Sequence, residues 1–571
     1  MALPAALPLF DQLARGWRAY LLLVLIALAA ALPGIGRMPV MDRDEARFVQ
    51  ATRQMVETGD YVRIRLQNES RNKKPIGIYW LQAAAVEATA PITGRLNEVW
   101  AYRLPSVLGA VIAALATFWA GTALMTRRAA FLGAALFAAG MLIGAEGMTA
   151  KTDAMLTGCI TLAMAALARL YVRDAPGENW GSRGLALVFW AAFAAGVLVK
   201  GPVTPIVVTL TLGALGLWEK RWAWMKPLLW PPGPILAALI IAPWMIAIGA
   251  ATHGGFFRDA MESDLAPKVI EGQQGHFSPP GYYIALLSVL IFPATFALPG
   301  AARLGWRALR QPRASADPLR FLLAWAIPTF LAFEILPTKL AHYTLPTYPA
   351  IALLCGAATF VALREKWPLT RLTGIVLFAV AGAVLVALMA AGATFVPGDA
   401  AADLRRAIQA GLLGAGFVTA ATAALVIARQ PFSRAIAAIL AALLISYTLR
   451  EHVLPEARSL HISAEAVAAL KRARLMPTDT RPLWVVGYRE TSIIFLTRTD
   501  ARLATASDAS ANARPGDVLV VEARSLPQVD AGLAARHLIF MRASAPVSGR
   551  NYGNGLAVSL YVGDVERAPA L

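Results

Sequence analysis

Residues 98–147 read EVWAYRLPSVLGAVIAALATFWAGTALM, then Thr126-Arg127-Arg128, then AAFLGAALFAAGMLIGAEG. Crossing a bilayer's hydrocarbon takes about 20 apolar residues per helix. Two runs near that length, joined by three residues of which two are arginine, read as a membrane hairpin. The pattern recurs along the chain, with candidate spans near 17–37, 98–125, 129–147, 153–172, 184–200, 202–218, 227–249, 282–301, 319–336, 344–363, 371–395, 407–428 and 434–449. Composition agrees: of 571 residues, 57% are hydrophobic and 15% charged, and the mean hydropathy is +0.56. Soluble domains carry about 25% charged residues. Disorder, collagen and coiled coil are excluded by the same excess. The fold class is an α-helical polytopic membrane protein of about thirteen transmembrane helices. Residues 76–92, short and holding a glutamate, read as a juxtamembrane helix rather than a span.

The formal charge of +18 then belongs to loops and lipid headgroups rather than to nucleic acid, since no basic run outside the membrane is interleaved with stacking aromatics. Alternate short loops are rich in arginine and lysine: Arg127 and Arg128; Arg169, Arg173 and Arg183; Lys220, Arg221 and Lys226; Arg303 to Arg313; Arg364, Lys366 and Arg371; Arg429 and Arg434. The loops between them hold one or two basic residues each. Cytoplasmic loops carry the excess, so the N-terminus, with Arg15 and Arg18, is expected inside. The loop after the first span and the C-terminal tail are expected outside. No cleavage site follows the first run, which reads as a retained span. Cys159 and Cys355, the two cysteines, lie in apolar runs, which argues against a disulfide framework or a zinc–thiolate site.

The domain plan is a transmembrane region over 1–449, with long outer loops at 38–97 and 250–281, and a soluble domain over 450–571. In that tail LWVVGY, DVLVVEA, HLIFMRA and LAVSLYV read as strands, and SAEAVAALKRAR and ETSIIFLTR as helices, a small α/β domain.

The topology sorts the unusual polar residues onto the outer face. Asp44, Glu45 and Arg47 follow the first span, with Lys73, Lys74 and Pro75 later in that loop. Asp153 stands at the outer end of the fourth span and Lys200-Gly201 between the fifth and sixth. His276, Tyr282 and Tyr283 end the second long loop, and Lys339, His342 and Tyr343 precede the tenth span. Each has a structural reading too. Asp44 and Glu45 suit a helix N-terminus, lysines snorkel, and Asp153 could pair with Lys151 or Lys200. Charged groups at a membrane boundary are costly unless paired or working, so their convergence on one face needs a cause.

In order, a first span, D-E-A-R-F, K-K-P-I-G-I-Y-W, an aspartate at the outer end of the fourth span, Lys-Gly, and K-L-x-x-Y-x-L-P-x-x-P resemble the C-type glycosyltransferases that use polyprenyl-phosphate sugars. This is the protein mannosyltransferase superfamily, and the likeness is greatest to bacterial 4-amino-4-deoxy-L-arabinose transferases that modify lipid A. It runs from Asp44 to Pro349, and D-E-A-R-F and K-K-P-I-G-I-Y-W are its specific part. The resemblance implies Asp44 and Asp153 as catalytic residues. It implies Arg47, Lys74, Lys200, Lys339, Tyr343, Glu45, His276 and Tyr283 as contacts to the lipid phosphate and sugar. The family often has Glu-Lys-Pro where this chain has Lys73-Lys74-Pro75, so a role of that glutamate has no carboxylate at 73.

The implied reaction moves the aminopentose from undecaprenyl phosphate to a lipid A phosphate at the periplasmic face of a bacterial inner membrane. Charge neutralisation of lipid A would confer resistance to polymyxin and other cationic peptides. Arg47, Lys74, Lys200 and Lys339 would stabilise the leaving phosphate. No cofactor is required by the chemistry; a divalent metal could sit among the outer acidic residues, but no ligand spacing names its ligands. The expected partners are the lipid-linked donor, lipid A and membrane lipids, with the chain acting as a monomer. A mannosyl or hexosyl transferase acting on protein or another glycan is the alternative, and a lipid-linked sugar transporter a further one. A transporter predicts charges near the midplane, whereas the spans here are mostly clean of acids apart from Glu334 and, near an end, Glu146.

Overall fold

The computed structural model describes residue 10 and residues 12–173, 180–267, 278–310, 317–396, 398, 400–551 and 555–569. The membrane region comprises α1 (Gly16–Ala31), α2 (Asp44–Thr58), a two-stranded hairpin β1 (Arg65–Leu66) and β2 (Glu69–Ser70), α3 (Gly77–Thr93), α4 (Val99–Leu124), α5 (Arg127–Ala138) and α6 (Met141–Met148). It continues with α7 (Asp153–Arg173), α8 (Trp180–Lys200), α9 (Val203–Glu219), α10 (Pro232–Ala251), α11 (Tyr282–Leu290), α12 (Leu298–Arg310), α13 (Pro318–Ile335), α14 (Tyr348–Glu365), α15 (Pro368–Ala393), α16 (Ala400–Ile427) and α17 (Pro431–Tyr447).

Among the described residues nine helices are long and apolar enough to cross a membrane. Two bent pairs, α5 with α6 at 52° and α11 with the segment Ala294–Arg310 at 112°, are apolar and long enough only when each is taken together. The expected thirteen is reached only if both pairs and the shorter apolar helices α1 and α9 are each counted as a span. Gly140 interrupts the first pair, and Pro293, which has no N–H to donate, the second. Helix α3 is not among the candidate spans, as the sequence anticipates for 76–92.

Small residues let the central helices approach closely. A Cβ added at Gly109 in α4 would stand 2.4 Å from Met155 Cα, and one at Gly158 in α7 would stand 2.8 Å from the Gly109 carbonyl. In lipid, where apolar burial between helices gives little driving force, such close packing holds spans together. At the end of the bundle away from Asp44, polar groups lock α7 to its neighbours. Tyr171 donates to Glu219 Oε1 at 2.6 Å, and Arg320 lies 3.9 Å from the same carboxylate.

The last span runs on to Val453 in a wider turn, so the soluble fold begins later than 450, at α18 (Ile462–Arg472). Then come β3 (Leu483–Val486), α19 (Thr491–Leu496), β4 (Arg502–Ala504), α20 (Ala506–Asn512), β5 (Val518–Glu522), α21 (Leu526–Ala534), β6 (Leu538–Arg542), β7 (Val547–Arg550) and β8 (Ala557–Arg567). The strand order is β4-β3-β5-β8-β6, with β7 also paired to β8. β3 is parallel to β4 and β5; β8 is antiparallel to its neighbours. Alternate strand residues face opposite sides. Leu483, Val485, Val518 and Val520 pack with α18 and α19, whereas Trp484, Val486, Leu519 and Val521 pack with α20 and α21. The four expected strands and both expected helices are present. β4, β7, α20 and α21 are additions.

This domain is clamped onto α2. Arg53 donates to the carbonyls of Phe495 (2.7 Å) and Thr497 (3.3 Å), Gln50 to Thr499 at 2.9 Å, and Phe495 meets Tyr102 edge-on at 5.3 Å. Asp42, 7% exposed, accepts from Ser492 and, at 3.3 Å, from Tyr488. Burial pushes its carboxyl up to about 6; the Ser492 bond opposes the rise and the nearby Glu490 adds to it. An unfolded aspartate ionises near 3.9, so between about pH 4 and pH 6 the folded state holds a proton that the unfolded state has lost. Stability from this group is therefore full below that window and lost as pH rises through it. Asp42→Asn, which stays neutral, is expected to raise the melting midpoint at pH 7 and flatten its pH dependence between 4 and 6. Melting curves across that range check this; an unchanged slope assigns it to another group.

Candidate active site

Four consecutive residues, Asp42-Arg43-Asp44-Glu45, set the geometry. Asp42 is anchored to the soluble domain, while Glu45, 2% exposed, is anchored in the opposite direction. Its Oε1 accepts from Arg103 Nε at 2.9 Å and from the Ala150 N–H at 2.8 Å. Its Oε2 accepts from Arg103 Nη2 and the Met41 N–H, both at 2.9 Å. Arg103 spends its remaining donors on the carbonyls of Ile35 (2.8 Å), Met38 (2.7 Å) and Pro39 (3.0 Å). Between the two anchors Arg43 takes φ +63°, a left-handed value that a non-glycine residue adopts only when its surroundings impose it. Asp44 then starts α2 with its carboxylate 57% exposed.

Three other segments arrive at this carboxylate. The Ala150 bond holds the α6–α7 loop against α2, and Ser106 donates to the Lys151 carbonyl at 3.1 Å. Lys151 pairs with Glu146 at 3.1 Å, and Lys200 pairs with Asp153. The Lys200 ammonium also lies 5.5 Å from the centre of the Tyr343 ring. Gly201, at φ +61°, turns the chain after α8, and a Cβ there would lie 3.7 Å from Pro75 Cγ, so the Lys-Lys-Pro segment packs onto the Lys-Gly turn. From the α13–α14 loop His342 reaches Glu146 (3.6 Å) and Asp153 (3.7 Å).

The charges tune one another. The recess would raise the pKa of Asp44, but Lys151, Arg71, Arg47 and His342 outweigh that and hold it below the usual carboxylate range. Burial likewise opposes ionisation of Glu45, and Arg103 overcomes it. Burial pushes the pKa of His342 below its ordinary value, against the pull of Asp153 and Glu146. Lys151 is raised because Glu146 and Asp153 outweigh its burial. Arg71, 8% exposed, donates to the Tyr79 hydroxyl at 3.3 Å with its guanidinium 5.2 Å from the Phe48 ring.

Of the residues expected from the sequence, Asp44, Arg47, Asp153, Lys200 and Tyr343 come together, and Lys74 adjoins them through Pro75. Glu45 does not face the recess; it positions its neighbours. Lys339 is buried, donating to the carbonyls of Ser278 (2.8 Å) and Leu336 (2.7 Å), which ties the loop before α14 to the end of the second outer loop. Tyr283 is fully buried: its hydroxyl donates to the Leu340 carbonyl at 3.0 Å and its N–H to Glu334. Glu334, near the end of α13, caps the start of α11, accepting from Gly281 (2.7 Å) and Tyr283 (3.1 Å). His276 lies outside the described residues. Arg71, Arg103 and Glu146 join the site without a signal in the sequence, whereas Lys151, beside Asp153, and His342, beside Tyr343, stood among the polar residues singled out there.

Glu146, Asp153 and His342 offer ligand atoms within 4.8 Å of one another, close enough for a divalent ion. Both carboxylates, however, already carry an ammonium partner, Lys151 and Lys200. As arranged, the donor set fits a paired network better than a metal.

By fold the chain resembles membrane proteins of known structure, and part of its sequence resembles a known family. A family model described as dolichyl-phosphate-mannose-protein mannosyltransferase matches residues 46–254. The structure superposes on ArnT from Cupriavidus metallidurans bound to undecaprenyl phosphate with a TM-score of 0.75 at 18% identity, covering 96% of this chain and 99% of that one. The Archaeoglobus fulgidus oligosaccharyltransferase superposes at 0.52 with 12% identity, over 88% of this chain and 69% of that one. In sequence, the undecaprenyl phosphate-alpha-4-amino-4-deoxy-L-arabinose arabinosyl transferase of Pectobacterium carotovorum is 29% identical over 59% of this chain and 58% of its own length. The Yersinia pestis protein of that name is 27% identical over 66% and 65%. The chain thus aligns with less than two thirds of either relative.

Removing Arg103 strands a buried carboxylate. Arg103→Met is expected to cost about 3–5 kcal/mol, read as a fall in the melting midpoint. Arg103→Lys, which keeps charge but loses the bidentate fork, is expected to fall between; a wild-type midpoint for the methionine variant would refute the role given to the pair.

Proposed function

We propose that this chain is a membrane glycosyltransferase that moves 4-amino-4-deoxy-L-arabinose from undecaprenyl phosphate to a lipid A phosphate. The observation that carries the reading is the meeting of Arg47, Arg71 and Lys151 with Asp44, and of Lys200 with the adjoining Asp153, at one end of a helix bundle whose fold is shared with a protein crystallised with undecaprenyl phosphate. In the reaction, an acceptor phosphate oxygen attacks the anomeric carbon and forms the new C–O bond. The bond from that carbon to the donor phosphate oxygen breaks, and its electron pair leaves with undecaprenyl phosphate. Negative charge gathers on the leaving group, where fixed cations stabilise it most. Lys200 and Arg71 are assigned that part, with Lys74 beside them.

Asp44 is assigned to the sugar's ammonium. A phosphate monoester, with its second pKa about 6, needs no base to become a nucleophile. A carboxylate held below its ordinary pKa is a weak base but a durable anion. Asp153 stays within its Lys200 pair and orients that ammonium. The step calls for no dedicated metal. The basic loops opposite Asp44 support an orientation with the site on the periplasmic side of a bacterial inner membrane.

Mass spectrometry of lipid A from cells with and without the protein tests the reading. An aminopentose increment that follows the protein is expected; an unchanged lipid A with altered glycoproteins would favour a hexosyl transferase acting on protein. Asp44→Asn is expected to lower turnover of the aminosugar donor about 10- to 100-fold, the worth of one hydrogen bond to a charged group, and that of a neutral-sugar donor far less. Equal losses on both donors would refute the amine-binding role.

A further inference from the structure

At the opposite end of the bundle from Asp44, a cavity of about 440 Å³ opens between α12, α14, α15 and α17. α14 alone, with 18 residues, separates its Tyr348 end near the site from its Glu365 end at this cavity by about 27 Å. The floor is apolar, built from Phe296, Gly300 and Ala358, and the mouth is ringed by Lys366, Arg371 and Arg434. Arg371 donates one edge to the carbonyls of Leu425 (3.0 Å) and Val426 (2.5 Å), and Arg434 its Nε to that of Ala428 (2.8 Å). These bonds to one turn fix both guanidiniums at the rim and leave them further N–H donors. Beside them Arg303 and Arg307 stack on Trp367 at 4.4 and 4.7 Å. The nearby carboxylate, Glu365, is taken by Arg307 at 2.5 Å and by the Trp367 indole at 3.1 Å. Among the described residues none of Lys366, Arg371 and Arg434 pairs with a carboxylate.

Three cations held together at a membrane boundary without a counter-ion repel one another, and a bound anion relieves that cost. The apolar floor and the exposed Leu363, Leu369 and Leu372 beside the mouth suit an anion that carries hydrocarbon. We propose that this cavity binds the phosphate headgroup of an anionic phospholipid, its acyl chains lying along α14 and α15. A zwitterionic lipid brings an amine that the same cations repel, so the site discriminates by headgroup charge. The inference rests on this end of the bundle alone and does not depend on the reaction at the other.

Native mass spectrometry of the full chain, incubated with equal phosphatidylglycerol and phosphatidylethanolamine of matched chains, tests it, alongside melting curves in each lipid and in inorganic phosphate. Wild type is expected to retain phosphatidylglycerol preferentially. Lys366→Glu, at an exposed position, is expected to reduce that preference about fivefold or more, the effect of at least one surface charge, with the melting curve in detergent unchanged. Equal retention of the two lipids by wild type, or a wild-type preference in Lys366→Glu, would overturn the proposal. Stabilisation by millimolar inorganic phosphate equal to that by phosphatidylglycerol would also overturn it, assigning the cavity to a free anion.

Discussion

One buried ion pair, Glu45 with Arg103, ties one end of this molecule together. The two side chains are almost fully sealed from solvent, at 2% and 0% exposure, so neither charge survives without the other. What makes the pair tolerable is that its spare donors and acceptors are filled by backbone: three carbonyls from the exit of α1, the N–H of Met41 and the N–H of Ala150. Three pieces of chain that are distant in sequence, residues 35–45, Arg103 and Ala150, thereby become one body. Asp44 is one residue from this knot on one strand, and Lys151 one residue from it on another, so their proximity is a by-product of the same bonds.

The electrostatics of the recess follow from how its charges are matched. Asp44 is 3.8 Å from Arg47, Glu146 lies 3.1 Å from Lys151, and Asp153 is bridged to Lys200, so each carboxylate has a cation of its own. Arg71 has a phenol and an aromatic face but no carboxylate among the described residues, which leaves the recess with surplus positive charge. Such a network is rigid without a ligand and still attractive to an anion. The two properties rarely coincide where every cation is paired.

How much of this could be read from the sequence depended on whether the signal was local. Span positions were legible because twenty apolar residues say the same thing in any context. The bends at Gly140 and Pro293 were not, since an apolar run looks alike whether straight or broken. Asp44 and Glu45 are neighbours with the same chemistry, yet a helix turns about 100° between them, so one faces water and the other Arg103, fifty-eight residues on in sequence. Lys339 and Tyr283 look like ligands by type. Their donors go to carbonyls of loops that only the fold brings close. In the soluble domain the all-apolar strands β3 and β5 stood out, whereas β4, three residues long, and α20, rich in Ser, Asp and Asn, carry little periodicity.

The same reasoning gives the soluble domain a mechanical part. It holds Asp42 from one side while Arg103 of α4 holds Glu45 from the other, and the backbone between them is forced through a left-handed residue at Arg43. Strain of this kind persists only when both flanks are fixed. If either anchor let go, Arg43 would relax to an ordinary conformation and the start of α2 would rotate, carrying the Asp44 carboxylate away from Lys151 and Arg71. The domain therefore need not touch a substrate to matter: by gripping α2 through Arg53, Gln50 and Asp42, it keeps an exposed carboxylate aimed at cations contributed by the membrane helices.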